Sequence, residues 1–187
     1  QIADKGKTAE DGVFIKILKA DYSGLMRQPF AEISADAANC YDLVNHLILA
    51  MLLRAIGMPT GPILAILTTI RGMKYYLRTG FGESTKYMGG DCARRRMHGL
   101  NQGSRAASQN WLLVSSVLVK MQRARGHIAT VITPINKVVS SIVGSLYVDD
   151  TVLFVHKEQI LGKQDLTVEA QASITDWGNR LIASGGS

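Results

Sequence analysis

The 187-residue chain predicts an α+β fold, an antiparallel sheet with helices packed on one face. Segments with apolar residues at helical spacing are interleaved with short, β-branched, alternating runs. Their order lacks the regular strand–helix–strand alternation of a parallel sheet. Two of the β-rich runs, "VVSSIVGSLYV" and "TVLFVHK", are separated only by Asp149 and Asp150, the spacing of a tight hairpin with an aspartate in its turn.

The elements follow in order. "KTAEDGVFIKILKADYSGLM" opens with Thr8 three residues before Asp11, a capping-box-like start, and continues as a helix. "PFAEISADA" alternates and reads as a strand ending near Asp36. "YDLVNHLILAMLLRAIG" reads as a helix stopped by Gly57, with Asp42 as an acid favoured by the helix dipole. "PTGPILAILTTIRGM" starts a second helix, with proline at its head. Because residues 43–70 include Asn45, His46, Arg54, Gly57, Pro59 and Pro62, they predict two core helices rather than a membrane span. "KYYLRTGFGESTKYMG" predicts a hairpin turning over 80–83, followed by the polar, Arg-rich loop "GGDCARRRMHGLNQGS". "AASQNWLLVSSVLVKMQRARG" is a helix ended by Gly126, with "WLLVSSVLVKM" as its core face, and a last helix covers about 164–183. No repeat or low-complexity linker interrupts 1–187, so no domain boundary is drawn.

Apolar residues make up 47% of the chain and charged residues 19%, which excludes a disordered tail. A net charge of +6 permits a polyanionic partner without demanding one. Cys40 and Cys92 form no CxxC pair and no metal-ligand spacing with the four histidines. They read as reduced thiols of an intracellular protein, nucleus or cytoplasm unassigned, and the histidines as surface or loop residues. No signal peptide opens the chain. It starts without Met and stops at "SGGS", so it reads as a piece of a longer protein.

The side-by-side Asp149 and Asp150 raise the main chemical question. Adjacent carboxylates repel, and a divalent cation held between them and a third acid relieves that repulsion. Asp36, at the end of the earlier strand, is the available third acid. If that strand lies beside the hairpin, Asp36, Asp149 and Asp150 converge, and two Mg²⁺ ions about 4 Å apart could clamp an attacking hydroxyl and a leaving phosphate oxygen. The plainer alternative is that Asp149–Asp150 is turn chemistry and Asp36 caps the following helix.

Three blocks, in order, resemble the palm of a reverse transcriptase. "SADAANCYD" resembles the first palm motif, an Asp at a strand end followed five residues later by an aromatic. "GLNQGSRAAS" resembles the second, Gln-Gly-Ser leading into a helix, and "YVDD" the third. The resemblance covers roughly 1–187 and looks closest to retrotransposon-type enzymes. It implies a reverse transcriptase domain with about 1–28 next to the fingers and about 29–187 as palm with inserted fingers-type elements. Upstream fingers, the later palm motif, the primer grip and the thumb are expected outside it.

Residue by residue, the resemblance implies that Asp36 and Asp149 are the principal Mg²⁺ ligands, with Mn²⁺ a substitute, and Asp150 the accompanying acid. The backbone carbonyl of Ala37 would face the triphosphate, and Tyr41 would gate the incoming sugar. Gln102 and Gly103 would line the nucleotide pocket, while Tyr147 and Val148 would meet the primer terminus. Arg94, Arg95 and Arg96 would contact template or primer phosphates, or else form a solvated loop. The implied partners are an RNA template, a DNA primer and deoxynucleoside triphosphates, with no membrane and no assigned oligomeric state. An aromatic at position 41 and "QGS" favour DNA synthesis. The rivals are an RNA-dependent RNA polymerase palm and a catalytically inactive, retroelement-derived nucleic-acid-binding module.

Overall fold

A computed structural model describes residues 9–37, 40–90, 99–100, 104–132, 135–147, 150–156 and 163–185. In chain order its elements are α1 (Ala9–Leu25), β1 (Ala31–Asp36), α2 (His46–Ala55), α3 (Thr60–Gly72), β2 (Lys74–Thr79), β3 (Gly82–Gly89), α4 (Arg105–Ala124), β4 (Ala129–Ile132), β5 (Val139–Ile142), β6 (Gly144–Tyr147), β7 (Asp150–Val155) and α5 (Lys163–Ser184). The fold is mixed α+β with small antiparallel sheets, as the interleaved periodicities predict. It falls into two compact units: 1–39 with 112–187, and 40–111.

In the first unit, β7 is the middle strand of an antiparallel sheet ordered β1-β7-β6. Successive side chains of a strand point to opposite faces, so burial of Leu153, Phe154 and Val155 in a row means that both faces are covered at that end. This departs from the expectation of helices on one face only. Helix α1 lies over the face that carries Glu32 and Phe154. Its Lys16 pairs with Glu32, and the Lys19 ammonium stands 5.6 Å from the Phe154 ring centroid. Helix α5 packs against β7 and β1, burying Trp177 and Leu181. At the other end Asp36 and Asp150 are both exposed, although Ala37 and Thr151 beside them are buried.

The run "VVSSIVGSLYV", read as one strand, serves two sheets. β5 pairs with β4, and after Val143 the chain enters β6, which pairs with β7. β4 was not foreseen, because "ATVI" follows a helix-ending glycine without an alternating pattern. Tyr22 of α1 anchors this second sheet, its hydroxyl donating to the Ile132 carbonyl at 2.9 Å. The helix α4 buries Trp111, Val114 and Leu118, at the spacing predicted for a core face. Gly126 ends it at φ +82°, with His127 N donating to Gln122 O. In α1 the pattern misleads: Val13, Phe14, Ile17 and Leu18 are half exposed or more, while Lys19 and Ser23 are buried.

The second unit packs α2 against α3, with Leu49, Leu53, Ile63, Leu67 and Ile70 buried. Helix α2 begins later than predicted. Asn45 is its N-cap, accepting from Leu47 N at 2.8 Å, and Tyr41 and Asp42 lie in a turn before it. Asp42 is therefore not a first-turn acid. β2 and β3 form the predicted hairpin, with Gly80 and Phe81 in the turn and a bulge between Tyr76 and Arg78.

Two of the four histidines depart from the surface reading, while His98 lies outside the described residues. His46 and His156 are 6% and 2% exposed, because each ring satisfies a backbone carbonyl. His46 Nε2–H donates to Gly99 O at 2.7 Å, and His156 Nδ1–H donates to Pro29 O at 2.9 Å. Cys40 is a buried thiol outside any disulfide, and Cys92 lies outside the described residues. Among the described residues no helix is long and apolar enough to cross a membrane.

Candidate active site

The sheet of the first unit brings two of the three predicted carboxylates together. The register β1–β7 runs from Ala31 opposite Val155 to Asp36 opposite Asp150. Directly opposed residues of an antiparallel pair project from the same face, with Cβ atoms about 4.5–5.5 Å apart. On the other edge of β7, Tyr147 is the register partner of Asp150. Val148 and Asp149, between them in the sequence, lie outside the described residues.

Of the two ordinary explanations of these acids, the helix cap at Asp36 fails, and the turn reading of Asp149 falls outside the described residues. Asp36 does not cap the helix that follows, because Asn45 occupies the N-cap of α2. Asp150 is the first residue of β7 and closes the connection from Tyr147. What remains is a pair of exposed like charges in direct cross-strand register, an arrangement that is unfavourable by itself. Two carboxylates opposed at the end of a paired sheet are hard oxygen donors of the kind that Mg²⁺ takes. Among the described residues no cluster of three His, Cys, Asp or Glu side chains forms. The third acid of the predicted set, Asp149, is outside them.

The hairpin that carries the acids depends on a glycine that the sequence reading passed over. Gly144 faces Leu153 across β6–β7, and a methyl carbon placed on it would collide with the Val152 carbonyl oxygen. Only hydrogen fits between these strands. A glycine inside an otherwise β-branched run was the available signal.

In the second unit, the first and second motif blocks are joined by their backbones. Leu100 N donates to Tyr41 O, and Gly99 N donates to Val44 O at 3.0 Å. Gly99 adopts φ +91°, and a side chain there would strike the Asp42 backbone, so position 99 accepts only glycine. His46 locks the same junction through Gly99 O. Tyr41 is half-buried, its ring centroid 6.3 Å from that of Trp111 and tilted by 56°. Ala37, directly after Asp36, is 2% exposed. Gln102, Gly103, Arg94, Arg95, Arg96 and Val148 lie outside the described residues.

Comparison with known proteins leaves the chain without an assigned family: no family model matches it, and no curated protein matches it.

Proposed function

We propose that this chain is the palm, with part of the fingers, of an RNA-directed DNA polymerase from a retroelement. It would extend a DNA primer on an RNA template with deoxynucleoside triphosphates inside the cell. The observation that carries the reading is the register of Asp36 with Asp150, which joins the first and third motif blocks across a sheet although 114 positions separate them in the chain.

Under this reading Asp36 and Asp149 hold the Mg²⁺ ions and Asp150 supplies the accompanying negative charge. When bound, the metal pair lowers the pKa of a primer 3′-hydroxyl and neutralises the triphosphate and leaving pyrophosphate. The protein positions and balances charge, and no histidine or serine nucleophile is required. The Ala37 carbonyl follows Asp36 directly and would face the triphosphate. Tyr41 would exclude a 2′-hydroxyl, while Gln102 and Gly103 would shape the nucleotide pocket. Tyr147 and Val148 would adjoin the primer terminus, and Arg94–Arg96 would meet backbone phosphates.

Asp149→Asn tests it. The substitution keeps size and turn compatibility and removes one charge. In the full-length protein, templated primer extension should fall by several orders of magnitude with Mg²⁺ present. Extension at close to the parent rate would return the aspartate pair to turn chemistry.

A further inference from the structure

His46 opens the helix α2, directly after its cap Asn45, yet its ring is spent on a distant segment. It is 6% exposed, and a polar ring taken out of water needs a hydrogen-bond partner. That partner is Gly99 O, 2.7 Å from Nε2 and 53 positions along the chain. A carbonyl only accepts, so Nε2 carries the proton in this bond.

The bond completes a clamp of three. Gly99 N donates to Val44 O at 3.0 Å and Leu100 N donates to Tyr41 O, so residues 99 and 100 run against the turn that carries Tyr41. With His46 on its carbonyl, Gly99 is held at both its donor and its acceptor. No side chain fits between Gly99 and the Asp42 backbone, and Val44 and Leu100 are each 1% exposed. Packing this close leaves no slack, so a shift of the 99–100 segment passes to the Tyr41 backbone. The Tyr41 ring, half-buried with its centroid 6.3 Å from that of Trp111, goes where its backbone takes it. A displacement of about 1 Å in a site can change rates about a hundredfold.

We propose that His46 is a positioning residue for sugar discrimination. By holding Gly99 O it fixes the Tyr41 backbone, and with it the ring that excludes a ribose 2′-hydroxyl. The inference rests on the polymerase reading and gives a role to a residue outside the three motif blocks.

Primer extension by the full-length protein tests this, with kcat/KM measured separately for a deoxynucleotide and the matching ribonucleotide. His46→Leu removes the donor and keeps an apolar body. The ratio of the two values should fall about tenfold, because ribonucleotide use rises while deoxynucleotide use falls only slightly. A merely structural role would lower both values in parallel and leave their ratio unchanged. His46→Gln carries an amide N–H at about the reach of Nε2 and should restore the parent ratio. In a Tyr41→Val background, which opens the gate by itself, adding His46→Leu should change the ratio less than twofold, since the two residues act as one unit. Circular dichroism checks folding, and His46→Phe takes the place of leucine should that variant not fold.

The inference alone is overturned if the parent extends primers and the folded donor-less variant discriminates within twofold of it. It is equally overturned if His46→Gln relaxes discrimination as far as His46→Leu does, or if His46→Leu relaxes the Tyr41→Val protein by a further twofold or more. A parent that extends no primer with either sugar overturns the polymerase reading, and this inference with it.

Discussion

Replacing Gly144 by alanine would wedge a methyl group between β6 and β7, and its cost can be worked from the local geometry. The added carbon would collide with the Val152 carbonyl oxygen and lie only 3.0 Å from the Val152 carbonyl carbon and 3.1 Å from the Leu153 Cα. All three belong to backbone, so no side chain can swing aside, and the strands must part. Parting them endangers the pairing of Gly144 with Leu153 and the adjacent bond from Phe154 N to Val143 O, 2.9 Å long. Two weakened ladder bonds at about 1 kcal/mol each, with about 1–2 kcal/mol of overpacking strain, give a loss of about 3–4 kcal/mol. That is a large part of a typical folding stability of about 5–15 kcal/mol.

Thermal unfolding followed by circular dichroism is the assay. At about 2–4 °C per kcal/mol for a chain of this size, Gly144→Ala should melt roughly 6–16 °C below the parent. Gly178→Ala is the matched control. Gly178 lies inside α5 with nothing within 4 Å of an added carbon, so alanine there should stabilise by about 0.5–1 kcal/mol through its better helix propensity. If Gly144→Ala melts within about 2 °C of the parent, β6 and β7 do not pair in this register. The opposition of Tyr147 to Asp150 would then fall with it, because one continuous strand carries Leu153 and Asp150.

Two further outcomes concern titrating groups. Lys19 is 5% exposed and its pKa is lowered to about 8 by burial, so Lys19→Met, which keeps the stem, should stabilise the fold at pH 7. The full shift from 10.5 would be worth about 3 kcal/mol, and partial solvent screening reduces this to about 1–2 kcal/mol. Between pH 8 and 10.5 the unfolded chain binds the proton more tightly, so the parent gains stability as pH rises. In urea unfolding the advantage of Met should therefore be complete below pH 8 and gone by about 10.5; a constant advantage would refute the burial argument. Asp176 accepts from His127 Nε2 at 3.0 Å and pairs with Arg180 at 2.9 Å, and the His127 hydrogen bond chiefly, with Arg180 after it, lowers its pKa below 3.8. Its contribution is present above that value and lost as pH falls through the depressed one, so Asp176→Asn should remove part of the acid-unfolding limb and leave neutral-pH sensitivity little changed.

Local signals carried much of the fold because the features behind them are local. Gly57 and Gly126 stop helices at left-handed backbone, Pro59 precedes α3, and the alternation of "AEISAD" is the strand β1 itself. What failed depended on distant partners. Nothing near His156 says that Pro29 will offer it a carbonyl, and nothing in "VGSLY" says that Val143 marks a change of sheet. The exposed apolar stripe of α1 carries the helical period of a buried face, and only tertiary packing decides that Lys19 and Ser23 go inward instead. At the candidate site the residue types were legible, whereas the pairing of Asp36 with Asp150 depends on strand order.

That pairing also bears on why the two acids stand where they do. Opposed carboxylates on neighbouring strands are a small liability, of the order of a few tenths to 1 kcal/mol, and serine or threonine would remove it without disturbing the strands. Asp36 escapes none of this cost by capping α2, since Asn45 does that work, and Asp150 faces it across the ladder. The liability falls where both acids are exposed, while the opposite end of the sheet is closed on both faces around Leu153, Phe154 and Val155. The buried end anchors the strands in register, and both acids face solvent at the other end. Under the proposed reading, a bound cation would relieve the repulsion between these two carboxylates, and its remaining positions would take waters and a phosphate-bearing substrate.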